Sequence, residues 1–274
     1  MYADSNRNHR NSKREKAKTK MYKNIKIGIK IATRNFDFIP EIYSNQDLID
    51  FIEILLLPEF TPNDVKIIRN LQMPYVIHIP AGVYDLDFGN KQKQVNNTKY
   101  IEKLNQYASK LKPWCFIIHP ESGDIELAVT NINRLRCSPL ALENMPKESH
   151  LGGDLLGFDR TGVEEFFNRI PTLEFCFDIN HAIKAAISQE LDPLKLMQEF
   201  LAFKPPLIFH IAGGNLSTAT DQHLNLNEGD YALPDIKQIL LHLNYTVNLT
   251  FETPKIPENG IKNDLENIRY FLNL

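Results

Sequence analysis

Short apolar segments alternate with longer segments of helical periodicity along most of the chain. Eight of the short segments are rich in Ile, Val, Phe and Leu and lack a regular alternation of polar residues. This composition is typical of parallel strands that are buried on both faces. The pattern therefore predicts eight strands, which span residues 25–31, 51–57, 75–79, 114–119, 140–143, 173–178, 207–211 and 247–252.

Helical periodicity separates these strands, over residues 62–71, 98–111, 162–169, 182–203, 234–243 and 261–272. Thr61 followed by Pro62, and also Thr161, are typical of helix starts. Eight alternating strand and helix units favour a closed barrel over an open sheet. Because no linker interrupts the sequence after residue 20, we predict an α/β fold of one domain, a (β/α)8 TIM barrel, over residues 21–274.

The composition of the 274-residue chain, 43% hydrophobic and 24% charged, is that of an ordinary globular protein. No stretch approaches the ~18 uninterrupted apolar residues of a membrane helix, and the basic N-terminus leads into no apolar signal segment. We therefore expect a cytoplasmic protein without membrane contact or an obligatory protein partner. Cys115, Cys137 and Cys176 form no disulfide or metal-binding pattern. Cys115 and Cys176 lie within apolar strand-like segments, so buried thiols are expected there.

Charge is unevenly distributed along the chain. Residues 1–20 carry seven basic side chains and two acidic ones, a net charge of +5, whereas the remaining residues carry a net charge of −8. Because the first segment has almost no apolar residues, we predict that residues 1–20 form a disordered basic tail. Such a tail could contact phosphates, although a solvated segment without a specific role is the simpler interpretation.

Acidic and imidazole side chains stand where most of the predicted strands end. Since the C-terminal ends of barrel strands converge on one mouth, these side chains are expected to meet there. Each one alone has an ordinary structural explanation, such as a helix cap or a rim charge. Together they favour a site for zinc, manganese or iron. The strand-end residues are His78, His119, Glu143, Asp178, His210 and Glu252, joined by the nearby His181, Asp221 and His223.

The chain also resembles endonuclease IV, the metal-dependent apurinic/apyrimidinic endonuclease family within the xylose-isomerase-like TIM-barrel superfamily. The resemblance runs from about Tyr75 to Pro254 and depends on several short motifs in a fixed order. They are His119-Pro120, Leu142-Glu143-Asn144, Asp178-x-x-His181, His210, Asp221-x-His223-x-x-x-Asn227-Glu228-Gly229 and Phe251-Glu252-Thr253-Pro254.

The resemblance implies nine ligands for three zinc ions, with manganese as an alternative ion. It implies hydrolysis of abasic DNA, a DNA-repair activity, or of a related phosphoester, with Glu143 and Glu252 as catalytic ligands and Glu228 as an orienting group or base. Three ligand sets follow from it. The first is His78, His119 and Glu143, the second is Glu143, Asp178, His210 and Glu252, and the third is His181, Asp221 and His223.

Some positions depart from the family pattern. The family's Gly-x-His-x-Ser stretch after the first strand reads Gly28-Ile-Lys-Ile-Ala-Thr here, and the long DNA-probing insertion that usually follows is absent. Tyr84 is a candidate for an aromatic side chain that contacts DNA, and His150 is a candidate for substrate contact. The ordinary explanation of Tyr84 is packing within a loop, and that of His150 is a loop position without a specific role.

Two alternatives therefore stay open. One is a metal-dependent sugar isomerase or epimerase of the same superfamily, which would need one ion at Glu143, Asp178, His210 and Glu252. Its two glutamates would move a proton at the carbon next to a carbonyl. The other is a barrel that binds metal without catalysis. The additional ligands His78, His119, Asp221 and His223 favour the phosphodiesterase over the isomerase.

Overall fold

The computed structural model describes residues 24–274. Eight parallel strands pair in sequence order, and the first strand also pairs with the last, so the sheet closes into a barrel. The predicted (β/α)8 barrel is thus confirmed. The predicted basic tail, residues 1–20, lies outside the described residues. The strands are β1 Ile25–Ala32, β2 Phe51–Leu55, β3 Tyr75–His78, β4 Phe116–Ile118, β5 Leu140–Glu143, β6 Glu174–Asp178, β7 Ile208–Ile211 and β8 Val247–Phe251.

Helices surround the barrel and cover its outer face. Most of them coincide with predicted segments, and no helix within residues 24–274 is both long and apolar enough to cross a membrane. They are α1 Ile39–Tyr43, α2 Pro62–Arg69, α3 Gln94–Ala108, α4 Ile125–Asn133, α5 Arg160–Arg169, α6 Ile179–Ser188, α7 Pro193–Phe203, α8 Leu233–His242 and α9 Lys262–Asn273.

The continuous helix predicted over residues 182–203 was wrong, because two helices occupy this region. Glu190 adopts a left-handed backbone conformation with φ of 56°, which ends α6. Pro193 then occupies the first turn of α7, and the Asp192 side chain accepts a hydrogen bond from the Lys195 N–H. Since proline lacks an N–H and clashes with the preceding turn, a helix begins at this position more readily than it passes through it.

Helix caps explain two further differences from the sequence prediction. Thr61 caps α2 as predicted, but α5 is capped by Asp159, which accepts from the Gly162 N–H, and not by Thr161. Helix α4 was not predicted. Its cap is Asp124, whose side chain accepts from the Leu127 N–H. Aspartate is as effective a cap as threonine, because its oxygen satisfies an otherwise unpaired N–H in the same way.

Successive residues of a strand point to opposite faces of the sheet, so every second residue points into the barrel. These inward side chains form two layers. The layer toward the N-terminal ends of the strands is apolar and includes Cys115 and Cys176, both fully buried as predicted. One residue pair higher on most strands, the inward positions are polar; at β4, Cys115 and Ile117 are both apolar and the polar residue is His119. The apolar layer consists of Phe51, Val76, Cys115, Ile117, Ala141, Cys176 and Ile208, and the polar residues above it include Lys30, Glu53, His78, Glu143, Asp178, His210 and Glu252.

Gly28 leaves room for the Phe51 ring in the apolar layer. A Cβ atom at Gly28 would lie 2.4 Å from Cε2 and Cζ of Phe51. The ring is fully buried and packs against Trp114 with centroids 5.4 Å apart, so it has little space to move. A glycine is therefore required at this position for Phe51 to pack in the apolar layer beneath the polar residues.

We expect Gly28→Ala to lower the free energy of unfolding by about 1–3 kcal/mol, because the added methyl group overpacks the interior. Urea denaturation measures the change. Lys99→Ala is the control, since Lys99 is an exposed residue on the outer helix α3 and its replacement should change stability by less than about 0.5 kcal/mol. Equal stability of Gly28→Ala and the native protein would contradict the packing argument.

Candidate metal centre

The nine residues predicted as ligands converge at the C-terminal mouth of the barrel. Strand ends position most of them, the first turn of α6 positions His181, and the loop after β7 positions Asp221 and His223. Six are buried, and His119, Asp221 and His223 are partly exposed. Donor atoms of the first set (His78, His119, Glu143) lie within 4.8 Å of one another, as do those of the third set (His181, Asp221, His223).

The first set is built around facing histidine nitrogens. Nε2 of His78 lies 3.0 Å from Nε2 of His119, and Glu143 Oε2 lies 3.2 Å from His119 Nε2 and 4.0 Å from His78 Nε2. Three donor atoms thus surround a common point. They come from the ends of the neighbouring strands β3, β4 and β5, so the barrel register alone brings them together.

The second set (Glu143, Asp178, His210, Glu252) converges on one nitrogen. Nδ1 of His210 lies 3.3 Å from Glu143 Oε2, 3.6 Å from Asp178 Oδ2 and 3.0 Å from Glu252 Oε1. The other oxygen of Asp178, Oδ1, accepts a hydrogen bond from the His181 N–H at 2.7 Å. Asp178 therefore caps α6 with one oxygen and faces the set with the other.

The third set lies nearest the solvent. Asp221 Oδ2 lies 3.5 Å from His181 Nε2 and 2.5 Å from His223 Nε2. The other oxygen of Asp221 accepts a hydrogen bond from the Asn180 side chain, whose own oxygen accepts from the Tyr231 hydroxyl. This chain of hydrogen bonds fixes which oxygen of Asp221 faces the histidines.

Each of the five histidines is oriented by an acceptor at the ring nitrogen that faces away from its set. We assign an N–H to that nitrogen, so in the neutral imidazole, the form that ligates a metal, the nitrogen facing the set carries the lone pair. An imidazole that donates from one nitrogen and faces a metal with the other is the usual arrangement of metal-ligating histidine. The contacts are His78 Nδ1 to Glu53 Oε1 at 2.8 Å, His119 Nδ1 to Glu121 Oε1 at 3.1 Å, His181 Nδ1 to the Asn144 carbonyl at 2.9 Å, His210 Nε2 to Glu53 Oε2 at 2.9 Å and His223 Nδ1 to the Glu252 carbonyl at 3.0 Å.

One buried oxygen supports the fit of a cation to this donor set. Glu143 is fully buried, yet its Oε1 has no hydrogen-bond partner among the described residues. The nearest nitrogen, His181 Nδ1 at 3.2 Å, already donates to the Asn144 carbonyl. A buried carboxylate oxygen without a partner is costly unless a cation pairs with it, so these residues fit divalent ions.

The carboxylates draw protons onto the histidines when no ion is bound. Burial alone would lower the pKa of His119, but Glu143 and Glu121 raise it to about 9. Asp221 likewise raises the pKa of His223 to about 9 against the effect of burial. His78 behaves in the opposite way, because burial and the ammonium of Lys30 lower its pKa to about 4. Protons on His119 and His223 therefore occupy positions that metal ions would take.

Glu53 is the principal residue that the sequence argument missed. It lies inside β2, not at its end, and one carboxylate holds both His78 and His210 while also accepting from the Thr250 hydroxyl at 2.8 Å. Although burial would raise its pKa, His210 and Lys30 hold the pKa well below its ordinary range. A single carboxylate within an apolar strand was the available signal.

Lys30 and Glu121 were also missed as functional residues. The Lys30 ammonium donates to Glu252 Oε1 at 2.5 Å and lies 3.0 Å from His78 Nδ1. Glu121, which orients His119, adopts a left-handed backbone conformation with φ of 55°. Such a conformation is unfavourable for a residue with a side chain and persists where the surrounding contacts require it. The only signal for Lys30 was its departure from the family motif.

A cavity of about 360 Å³ lies over the donor sets. Its lining includes His78, His119, His181, Asp221, His223 and Glu252, together with the loop residues Tyr84 and His150. The structure thus places both of these weaker candidates at the cavity. Glu228 does not line it: the Glu228 carboxylate accepts from the Asn225 backbone N–H at 3.2 Å and from the Asn225 side chain at 3.0 Å, in a separate polar cavity.

Comparisons with known proteins agree with this architecture. A family model described as xylose isomerase-like TIM barrel matches residues 36–271. A D-tagatose 3-epimerase-like protein is similar with a TM-score of 0.64 at 17% identity, over 90% of this chain and 98% of that chain. Endonuclease IV from Thermus thermophilus is similar with a TM-score of 0.63 at 20% identity, over 90% of this chain and 99% of that chain.

A third similar structure is the TTHB071 protein, also from Thermus thermophilus, soaked with ZnCl2. It has a TM-score of 0.59 at 16% identity, over 89% of this chain and 97% of that chain. No curated protein matches the sequence. At these identities the similar structures show the fold alone.

Glu53→Gln should lower zinc affinity by about 10–100-fold, because a glutamine has one acceptor oxygen and cannot orient both His78 and His210. Competition with a chromophoric chelator measures the affinity, and circular dichroism checks that the barrel is folded. The exposed Glu165 supplies the matched control, Glu165→Gln, which should bind zinc as the native protein does. Unchanged affinity in Glu53→Gln would refute the orienting role.

Zinc binding should release protons at pH 7.5. With pKa values raised to about 9, His119 and His223 are protonated in the metal-free protein and must lose a proton to ligate. Apparent affinity should therefore rise as the pH is raised toward about 9. Isothermal titration calorimetry in buffers of different ionisation enthalpy measures the release. Binding heats that are the same in all buffers at pH 7.5 would show that zinc binding releases no protons, and would contradict the protonation of His119 and His223 in the metal-free protein.

Proposed function

Since this chain belongs to the xylose isomerase-like TIM barrel family, we propose that it is a metal-dependent phosphodiesterase of the endonuclease IV type. The observation that carries this proposal is the convergence of nine donor residues. The first and third sets each have donor atoms within 4.8 Å of one another, the second lies around His210 Nδ1, and Glu143 faces both the first and the second. The proposed substrate is DNA with an abasic site or a related phosphoester.

The donor chemistry favours zinc, with manganese as the alternative ion. Five imidazoles and four carboxylates form the sets, and mixed nitrogen and oxygen ligands at buried positions suit zinc. A zinc-soaked structure among the similar proteins agrees with that choice. We propose two or three ions per chain, the third being held by the more exposed set of His181, Asp221 and His223.

Divalent ions a few ångströms apart stabilise the attacking and leaving oxygens of a phosphodiester displacement. The chain's own residues would hold those ions. Glu143 Oε2 faces both His119 Nε2 at 3.2 Å and His210 Nδ1 at 3.3 Å, so Glu143 would serve the first two sets, and Glu252 connects the second set to the Lys30 ammonium at 2.5 Å. We therefore assign Glu143 and Glu252 to catalysis as ligands. A role for Glu228 stays a prediction, since its hydrogen bonds lie elsewhere.

The cavity dimensions give weight to a second candidate, a sugar epimerase or isomerase. A volume of about 360 Å³ is within the range of small-molecule sites. A D-tagatose 3-epimerase-like protein is among the similar structures. The second set alone would serve such an enzyme with a single ion. The five residues His78, His119, His181, Asp221 and His223 would then have no purpose as ligands, which is why we place this candidate second.

Protein purified without chelator should contain at least two equivalents of zinc by elemental analysis and should nick a duplex that carries one abasic site. Chelation with EDTA should abolish nicking. Glu143→Gln should lose both metal and activity, the activity by at least about 100-fold, because two donor sets lose a charged ligand. Glu165→Gln is again the matched control.

Several outcomes would contradict the proposal. Glu143→Gln that keeps both its metal and full turnover would refute the ligand assignment. A reproducible single equivalent of metal, with ketose interconversion and no nicking at low salt, would establish the epimerase alternative. Bound metal with neither activity would indicate a barrel that binds ions without catalysis. Thermal stability is not a useful readout here, because bound metal itself stabilises the folded state.

A further inference from the structure

A second cavity of about 320 Å³ adjoins the cavity over the donor sets. It lies beside the C-terminal ends of β1 and β8, and its lining includes Ala32, Arg34, Asn35 and Lys255. Five residues line both cavities. Because the walls are shared, one extended ligand can occupy the two cavities together. The shared residues are Lys30, Leu55, Tyr84, His223 and Glu252.

The second cavity has a cationic lining. Lys30, Arg34 and Lys255 contribute three cations, and Glu252 is the carboxylate among its lining residues. This contrasts with the chain after residue 20, which carries a net charge of −8. A local excess of cations on an acidic protein is where an anionic group would be attracted.

The three cations differ in how far they are already paired. Lys30 is held by Glu252, and Lys255 forms an ion pair with the buried Asp264. Arg34 is exposed, and no side-chain hydrogen bond or ion pair joins its guanidinium to a residue of the described range 24–274. Its guanidinium is thus the cation best able to accept a new anionic partner.

We propose that the second cavity is a phosphate-binding subsite, in which Arg34 binds a phosphate group of the substrate other than the one placed at the metal centre. A guanidinium is planar and can donate two parallel hydrogen bonds to phosphate oxygens. Lys30 lines both cavities, and its ammonium contributes positive charge to each of them. This inference rests on the proposed function, because a DNA strand that is cut at one phosphate carries the next phosphate along its backbone.

The same phosphate chemistry could come from a small phosphorylated sugar, which the epimerase alternative would accept. The experiment therefore has two arms, both with zinc-loaded protein. Arg34→Gln is the test variant. Arg269→Gln is its matched control, because Arg269 is also exposed, carries the same charge and lies on α9 outside both cavities.

The first arm uses a duplex already nicked at the abasic site, so that the probe is not consumed, and measures its binding by fluorescence anisotropy across salt concentrations. Arg34→Gln should lower the slope of log affinity against log salt by about one, as expected for the loss of one phosphate contact. Replacing the phosphates that flank the abasic site, one at a time, by uncharged methylphosphonate should identify one position where the variant and the native protein bind equally.

The second arm measures binding of a ketose and of its terminal phosphate ester by calorimetry. Arg34→Gln should weaken the phosphate ester by about 10-fold and leave the unphosphorylated ketose unchanged if a sugar phosphate is the ligand. Such a result supports the subsite while the phosphodiesterase proposal fails. If Arg34→Gln equals Arg269→Gln in both arms, the subsite is refuted. Nicking by the native protein in that case would leave the proposed function intact.

Discussion

Buried negative charge at the mouth of the barrel is the constraint on which the rest of the site depends. Glu53, Glu143, Asp178 and Glu252 are all buried within a few ångströms of one another through shared histidines. Burying a carboxylate without a partner costs several kcal/mol, so positive charge must accompany them. Lys30 supplies one cation, protonated histidines supply others in the metal-free chain, and the clustered donor atoms could also hold metal ions.

The two-residue period of a strand places these charged side chains together, because every second residue points into the barrel. Inward positions low in the barrel are apolar and form a solid floor, with Gly28 making space for Phe51. The next inward positions are polar and face one another across the mouth. Neighbouring strands in register then deliver ligands from distant parts of the sequence to one point, and this is why the ligands need no sequence proximity.

Much of the site could be predicted for this reason. His78, Glu143 and Asp178 each end an apolar strand, and a barrel brings such strand ends together whatever the loops do. The orienting residues could not be predicted in the same way. Glu53 lies inside β2, and its two contacts depend on the register of β2 with β3 and on the direction of the His210 ring across the barrel. Helix boundaries were missed where a local cap or a proline decided them.

Anomalous diffraction at the zinc absorption edge, from crystals grown with zinc, would show whether the donor sets hold two or three separate ions. We expect one peak among His78, His119 and Glu143, a second beside His210 Nδ1, and, where a third ion binds, a peak among His181, Asp221 and His223. His78 and His210 should keep their contacts with Glu53. A single peak beside His210, with the other two sets closed by their own hydrogen bonds, would contradict the proposed multi-ion centre.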